Sequence, residues 1–366
     1  MIADAEKEFN VTSKVDTEEA EPYKTKIIAA VSADTAPDIF ITWGRSFIRP
    51  FIDAGKLLNL SDYMSEDIKN NVISGSFSEF SLDGSVYAFT DANAIGALFC
   101  NQEMFDKYGL KIPTTWDELI AVCQAFIDQG ITPLAVGAKD TWTLAMYHDI
   151  IALRCVGPEK LKTAIDTSDF SDPGFLEAAT KLRQLVDMGA FDKGALAFTR
   201  DEGEAGFYAG TIPMMQQGSW TAARVYKDTS MVAGKIVSVP FPVINEAVCG
   251  AYDLTGGGQT AYAVNAKTSD PELAVVVAEY LAQHISAAKF SAGGGISPYK
   301  DAPTETSNEL FMNTFKMAQN ATSLSIWWDT YLPAAKKTVY LNKLQELFGG
   351  MITPEEYIQA LNEMTE

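Results

Sequence analysis

Alternating hydrophobic and polar positions predict two strands in the first third of the chain. Small and large residues alternate over 85–89, which is typical of a half-buried strand. The turn pair Asp83-Gly84 stands directly before this strand and predicts a hairpin. A second apolar run over 95–101 follows a short polar stretch. The pattern therefore predicts strand, polar crossover and strand, and the rest of the chain is interpreted around this order.

Capping residues predict where the next helices begin and end. Gly109 ends a short helix predicted over 101–108, and Thr115 with Glu118 three residues later forms a capping box at the start of a longer helix. Periodic apolar residues predict the remaining elements. Further helices are predicted over 1–10, 22–32, 142–153, 175–186 and 271–281, near 308–317 and 332–348 and from 354, with strands over 37–43, 130–137, 211–215 and 260–264.

Prolines and glycines mark two segments between these elements. The extended stretch 237–242 contains Pro240 and Pro242, and we interpret it as a crossing between domains. Three glycines at 256–258 precede a predicted strand instead of a helix, and no Gly-Lys-Ser/Thr sequence follows them. A phosphate-binding loop is therefore not favoured at this position.

Composition limits the classes of function. The chain has 366 residues, which predicts two domains, and a formal net charge of −20. This charge argues against nucleic acid or an anionic membrane surface as the main partner. No apolar run reaches the roughly 20 residues that cross a bilayer.

The residues that most often carry catalysis or metals are sparse. The chain has two histidines and four cysteines, and none of the cysteines forms a pair at metal-ligand spacing. Neither Gly-x-Ser-x-Gly nor His-Glu-x-x-His occurs, so we expect no catalytic residues, no metal site and no cofactor. The four cysteines allow three disulfide pairings, but their apolar neighbours favour buried free thiols. These are Cys100, Cys123, Cys155 and Cys249.

Several motifs in a fixed order resemble one protein family. Leu98-Phe99-Cys100-Asn101-Gln102-Glu103-Met104-Phe105 is followed by Gly109-Leu110 and by Pro113-Thr114-Thr115-Trp116-Asp117-Glu118. An Ala-Pro-Asp-Ile-Phe sequence precedes them at 36–40, and Phe207, Gly210, Met214, Gly218 and Trp220 follow at a characteristic spacing. This order resembles the extracellular solute-binding proteins of ABC importers, in the carbohydrate-binding branch similar to maltose-binding protein. Cys100 replaces the tyrosine that is usual in that family.

The resemblance implies an α/β, two-lobed periplasmic-binding-protein fold of type II. Its discontinuous lobes would be joined by a hinge, with the ligand in the interlobe cleft. Here the lobes would comprise residues 1–92 with 245–301, and residues 93–244 with 302–366. The family also implies an extracytoplasmic location, as a membrane-anchored lipoprotein or a periplasmic protein. The signal peptide and first strand expected from the family are absent from this chain.

The resemblance and the residue types together suggest a carbohydrate site. Flat aromatic side chains match the C–H faces of a pyranose, whereas carboxylates and amides accept hydrogen bonds from hydroxyl groups. The alternative roles are structural: a core position for Trp43, and a helix N-cap for Asp140. Glycine at 257 would allow the backbone to approach a ligand closely. The predicted ligand-binding residues are Trp43, Asp91, Asn93, Asp140, Trp142, Trp220, Gly257, Trp328 (from the pair Trp327-Trp328) and Asp329.

The implied function is the binding component of an ABC transporter. It would bind a mono- or oligosaccharide by hinge closure and deliver it to the transmembrane permease subunits, as a monomer without enzymatic activity. A glycoside-active enzyme that uses paired carboxylates is an alternative, because aromatic subsites serve such enzymes too. A sugar-binding protein that only serves a sensor is a third hypothesis, which the sequence does not separate from transport.

Overall fold

A computed structural model describes residues 1–73 and 75–364. Its α-helices are α1 (Ile2–Phe9), α2 (Ala20–Ser32), α3 (Arg49–Asp53), α4 (Glu66–Asn71), α5 (Gln102–Tyr108), α6 (Trp116–Ile127), α7 (Thr141–Val156), α8 (Pro158–Thr167), α9 (Pro173–Asp187), α10 (Arg200–Tyr208), α11 (Thr221–Val225), α12 (Pro271–Ser291), α13 (Glu309–Gln319), α14 (Trp328–Tyr331), α15 (Ala334–Phe348) and α16 (Pro354–Asn362). Its strands are β1 (Ile39–Thr42), β2 (Ser81–Leu82), β3 (Ser85–Val86), β4 (Ala88–Thr90), β5 (Asn93–Asn101), β6 (Met214–Gly218), β7 (Ile236–Val239), β8 (Asp253–Gly258), β9 (Ala261–Val264) and β10 (Ser323–Ile326).

The chain forms two compact units, and each is discontinuous in sequence. The first unit comprises Met1–Asn93 and Gly258–Glu305, and the second comprises Ala94–Gly257 and Thr306–Glu366. The α/β fold predicted from the sequence is confirmed. The first and third boundaries lie close to the expected ones, but the second falls at 257/258 instead of 244/245.

The first unit is built on a three-stranded sheet in the order β1-β9-β4. Both neighbours pair with β9 in antiparallel orientation, so that Phe40 and Ala88 both lie opposite Ala263. Helix α12 packs its apolar side against this sheet. The strands β2 and β3 form the predicted hairpin, and positive φ values at Asp83 and Gly84 show why this turn pair is used there.

The second unit contains a five-stranded sheet in the order β10-β8-β5-β6, and β7 also pairs with β5. Strands β8 and β10 are parallel, whereas β6 and β7 both pair with β5 in antiparallel orientation. Helix α7 is buried from Thr143 to Val156, and it packs against α9 and α15 in the main hydrophobic core. This central position buries even His148, Asp149 and Arg154 of α7, so these polar side chains need partners within the unit.

The structure confirms the helix ends that the capping residues predicted. Asn101 caps α5 through its side chain, and Gly109 ends that helix in the left-handed conformation. Thr115 and Glu118 form the expected capping box at the start of α6. These signals are local, and they therefore do not depend on how distant parts of the chain pack.

Two predictions about extended segments were wrong. Residues 130–137 form no strand, because only Leu134 makes an isolated bridge, to Met214. The stretch 237–242 is not a crossing between domains, since β7 lies within the second unit and pairs with β5. Pro240 and Pro242 follow this strand, where they lack the N–H groups needed to extend it.

The cysteines are free in the described structure. All four are buried, as their apolar neighbours suggested. Burial raises the pKa of the Cys123 thiol to about 12, so this group stays protonated at neutral pH.

Candidate functional site

The end of β6 carries the first part of the candidate site. Gly218, the last residue of β6, lies opposite Gly96 of β5. A Cβ atom at position 218 would lie 2.3 Å from Cη2 of Trp220, so the indole ring lies directly over this glycine. No larger residue fits beneath the ring, which gives the Gly-x-Trp spacing a physical reason.

Three tryptophans from three separate elements meet at this end of the sheet. The ring centroids of Trp142 and Trp220 are 6.1 Å apart, and those of Trp220 and Trp327 are 5.8 Å apart. Trp142 lies in the first turn of α7, and Trp327 directly follows β10. Trp142 and Trp220 are half-buried, Trp327 is 7% exposed, and Met146 packs against the group. We call these three tryptophans the tryptophan cluster.

Two hydrogen-bond donors of the tryptophan cluster are unused. The indole nitrogens of Trp142 and Trp327 are buried and have no acceptor among the described residues. Leaving a buried donor without a partner costs roughly 1–3 kcal/mol. The cluster therefore combines aromatic surface with donors that an oxygen of a ligand or of water would satisfy.

Asp140 supports the cluster by a different contact from the predicted one. It occupies the N-cap position of α7, but its side chain makes no capping bond there. Instead its Oδ2 accepts a hydrogen bond of 2.6 Å from the backbone N–H of Arg200, at the start of α10. The Arg200 guanidinium lies 5.8 Å from the centre of the Trp142 ring. Asp140 thus connects the N-terminal end of α10 to the residues beside Trp142.

A buried charge network lies next to this contact. Glu204 is 2% exposed and accepts hydrogen bonds from Gln217 at 2.7 Å and from Arg224 at 2.8 Å. The Nε of Arg200 lies 3.6 Å from Glu204 Oε1. Burial raises the pKa of Glu204, and the two arginines oppose that shift. Arg200 and Arg224 therefore both interact with the Glu204 carboxylate within the second unit.

The prediction for Trp328 was wrong. Trp328 is fully buried, with its ring 5.0 Å from His148 and 5.1 Å from Tyr340, so it has no exposed face for a ligand. Its neighbour Trp327 joins the tryptophan cluster instead. The sequence offered both residues, and only packing decided between them. Asp329 is half-buried in the short helix α14.

In the first unit, Trp43 follows the end of β1 as predicted. It is half-buried, and its ring lies 5.0 Å from Phe47 and 6.0 Å from Tyr23. The ammonium of Lys24 lies 5.0 Å from the ring centre. This cation–π contact occupies part of the aromatic surface that the sequence analysis assigned to a ligand.

Asp91 is not available to a ligand in the described structure. It is 1% exposed, and its carboxylate accepts hydrogen bonds from Lys289 at 2.9 Å and from the Thr260 hydroxyl. Burial raises the pKa of Asp91, while Lys289 opposes this change. The expected role as a ligand contact is therefore replaced by an internal ion pair. Asn93 exchanges backbone hydrogen bonds with Ile296 and keeps a half-buried side chain.

Glu79 was missed by the sequence analysis. It is 8% exposed, and its Oε1 accepts a 2.7 Å hydrogen bond from the backbone N–H of Gly258. Gly44 is packed so tightly against Glu79 that an added Cβ would lie 2.9 Å from the Glu79 Cβ. The signal was a carboxylate between Phe77 and Phe80, because an acidic residue within an apolar stretch needs a specific partner.

In the glycine stretch 256–258, close packing explains the absence of a side chain at Gly256 and at Gly258. A Cβ at Gly256 would lie 2.5 Å from the carbonyl oxygen of Ala94, and one at Gly258 would lie 2.7 Å from the Phe80 ring. Gly257 itself is buried in β8. Close approach of the chain to itself therefore accounts for two of the three glycines without a ligand.

Other kinds of site find little support. Among residues 1–73 and 75–364, no group of three His, Cys, Asp or Glu side chains is arranged to hold a metal ion. No helix in the same residues combines the length and the apolar composition that crossing a bilayer requires.

The two discontinuous α/β units are those of a two-lobed solute-binding protein. The family model of bacterial extracellular solute-binding proteins matches residues 1–288, and the chain belongs to this family. A solved structure from work on xylan utilization by the thermophilic bacterium Caldanaerobius polysaccharolyticus is 35% identical to this chain. It has a TM-score of 0.95, and the similarity covers 100% of this chain and 95% of that one.

Two further relatives are more distant. A solved chitin oligosaccharide binding protein is 26% identical with a TM-score of 0.87, covering 99% of this chain and 91% of its own. An ABC transporter extracellular-binding protein of Pyrococcus horikoshii is 22% identical, covering 91% of this chain and 74% of its own length. The match to the family model confirms the predicted membership of the solute-binding protein family.

Proposed function

We propose that this protein is the carbohydrate-binding component of an ABC importer and that the tryptophan cluster contacts the sugar. The observation that carries the proposal is the meeting of Trp142, Trp220 and Trp327, which come from three separate elements. Two of these rings are half-buried instead of being closed into the core. Indole faces of this kind match the apolar C–H faces of a pyranose ring.

The polar groups nearby favour a neutral ligand. The unused indole N–H groups of Trp142 and Trp327 can donate to hydroxyl oxygens of a sugar. Arg200 is near Trp142, but it is also within ion-pair distance of Asp201 and Glu204. An amino-acid or phosphate site would instead be expected to commit an arginine or a helix N-terminus to the ligand.

The choice of sugar rests on the relatives. The structure with 35% identity comes from work on xylan utilization, and the one with 26% identity is a chitin oligosaccharide binding protein. Both polymers have β-1,4-linked pyranose backbones. We therefore propose a β-1,4-linked oligosaccharide as the ligand, with xylo-oligosaccharides as the first choice.

The remaining parts of the function follow from the family. The protein would act as a monomer outside the cytoplasm, either free in a periplasm or held by a lipid anchor, and would deliver its ligand to the permease subunits. It would carry out no chemistry on the sugar. Trp43, Asn93, Asp140, Gly257 and Asp329 remain proposed ligand contacts.

A thermal-shift titration with xylo-oligosaccharides, chito-oligosaccharides and monosaccharides tests the proposal. A ligand that binds only the folded state stabilises it by RT ln(1 + [L]/Kd), which is about 2.7 kcal/mol at 100 Kd. We expect a saturable shift with at least one oligosaccharide, and an unchanged ligand by chromatography after incubation. Trp220→Ala should weaken binding roughly thirtyfold or more, the effect typical of a buried aromatic hot spot.

Trp116→Phe is the control for losing a tryptophan elsewhere. Trp116 is 5% exposed and donates its indole N–H to Gln184 at 3.2 Å, away from the tryptophan cluster. This variant should keep the affinity of the wild type. A shift with amino acids or peptides but not with sugars would contradict the carbohydrate assignment, and cleavage of the oligosaccharide would favour the enzyme alternative.

A further inference from the structure

Two adjacent tryptophans at the junction between β10 and α14 have different surroundings. Trp327 ends in the tryptophan cluster, whereas Trp328 begins α14 and is fully buried. Because the two residues share a peptide bond, whatever fixes the backbone of Trp328 also restricts where the Trp327 ring can lie.

The backbone of Trp328 is held by a buried carboxylate. Asp149 of α7 has no exposed surface, and its Oδ2 accepts a 2.9 Å hydrogen bond from the Trp328 backbone N–H. Its Oδ1 accepts a 2.5 Å hydrogen bond from the Tyr340 hydroxyl. Among the described residues, His148 is the basic side chain within ion-pair distance of Asp149, with its Nδ1 3.8 Å from Asp149 Oδ1. The two hydrogen bonds to the carboxylate tie its position to the Trp328 N–H and the Tyr340 hydroxyl.

A histidine extends this arrangement to a second tyrosine. His148 Nδ1 lies 3.2 Å from the Tyr340 hydroxyl, and His148 Nε2 lies 3.2 Å from the Tyr357 hydroxyl. Tyr340 donates its proton to Asp149, and the neutral His148 tautomer that matches this direction donates from Nδ1 to Tyr340 and accepts from Tyr357 at Nε2. We call Tyr357, His148, Tyr340 and Asp149 the buried histidine network.

The donors in this network remain protonated. Burial, together with the charge of Asp149, raises the pKa of Tyr340 well above its usual value, and burial does the same for Tyr357. Both hydroxyls therefore remain able to donate, and the bond from Tyr340 to Asp149 connects the network to the Trp328 N–H, which donates to the same carboxylate.

We propose that the buried histidine network positions Trp327 for ligand binding, so that Tyr340 and Asp149 set the ligand affinity without touching the ligand. This inference rests on the proposed function, because it takes Trp327 as a ligand contact. Tyr340 and Asp149 are positioning residues. Their effect on binding should pass through Trp327 alone.

A double-mutant cycle between Tyr340 and Trp327 tests the proposal. Tyr340→Phe should raise the Kd for the oligosaccharide roughly fivefold to tenfold, the scale of one lost hydrogen bond. In a Trp327→Phe background the same change should leave Kd unaltered within twofold. Tyr299→Phe is the matched control, because it removes a buried hydroxyl that donates to the Thr90 carbonyl oxygen in the first unit. It should lower Tm without changing Kd.

A measurement without ligand separates failure of this inference from failure of the proposed function. The indole N–H signals in a proton–nitrogen NMR spectrum can be assigned by single Trp→Phe changes. Tyr340→Phe should shift the Trp327 signal and leave the Trp116 signal in place. An unmoved Trp327 signal, or an equal rise in Kd in the Trp327→Phe background, would overturn the inference. If no sugar binds the wild type, the proposed function fails, and the NMR result still decides whether the network positions Trp327.

Discussion

Two aromatic regions of the second unit meet at one peptide bond and differ in their surroundings. The tryptophan cluster gathers three rings at the end of β6, where Trp220 lies over Gly218, and two of the rings are only half-buried. The buried histidine network surrounds Trp328, which is fully buried and packs against His148, Phe170 and Tyr340. The first region has surface available for a partner, and the second is part of the hydrophobic core.

The difference does not lie in the indole nitrogens. Trp142, Trp327 and Trp328 all have buried indole N–H groups without an acceptor among the described residues. Only the first two belong to the region with half-buried rings. An unpaired donor therefore supports a ligand site only where the aromatic surface beside it is accessible, and aromatic content alone does not identify such a site.

Replacing Trp328 by alanine should mainly lower the stability of the fold, whereas replacing Trp327 should mainly raise the Kd for the ligand. Trp328→Ala should destabilise the fold by about 3–5 kcal/mol, as is typical when a large core aromatic is removed. Trp327→Ala should cost much less stability but raise Kd strongly. Urea denaturation and ligand titration of both variants measure the two effects. Equal losses of stability would mean that Trp327 is a core residue like Trp328.

Gly218→Ala should disturb the cluster without touching any tryptophan. The added methyl group would lie 2.3 Å from the Trp220 ring, so the ring must move. We expect roughly a tenfold rise in Kd and a stability loss of about 1–3 kcal/mol, the usual range for overpacking. Titration and near-ultraviolet circular dichroism report on these changes. Gly250→Ala tests the general effect of losing a glycine, since the nearest atom to its added Cβ, Asp253 Oδ2, lies at an ordinary contact distance of 3.7 Å.

Asp140 should show the smallest effect. Asp140→Ala removes the acceptor for the Arg200 N–H and should cost about 1 kcal/mol, as for a lost helix cap. Asp140→Asn keeps an acceptor oxygen and should cost clearly less. If Asp140 also contacts the sugar, both variants should raise Kd beyond the change in stability. An unchanged Kd in both would restrict Asp140 to supporting α10.

The sequence predicted the features that depend on neighbouring residues. The turn at Asp83-Gly84, the Gly109 stop and the capping box of Thr115 with Glu118 all occur as expected, because each is formed within a few residues. The order of the motifs also identified the family. The Gly218-x-Trp220 spacing was noticed in the sequence, although its cause, a ring lying over a glycine, appears only in the structure.

Tertiary structure decided the features that depend on distant partners. The sequence could not choose between Trp327 and Trp328, since the choice depends on Asp149, which lies 179 residues from Trp328 along the chain, and on the hydrogen bond that Tyr340 donates to Asp149. The sequence also could not show that Asp91 forms an ion pair with Lys289. The two residues are distant in sequence, and only the folded structure brings them together. Local patterns fix turns and caps, whereas the exposure and pairing of a side chain are set by the whole packed unit.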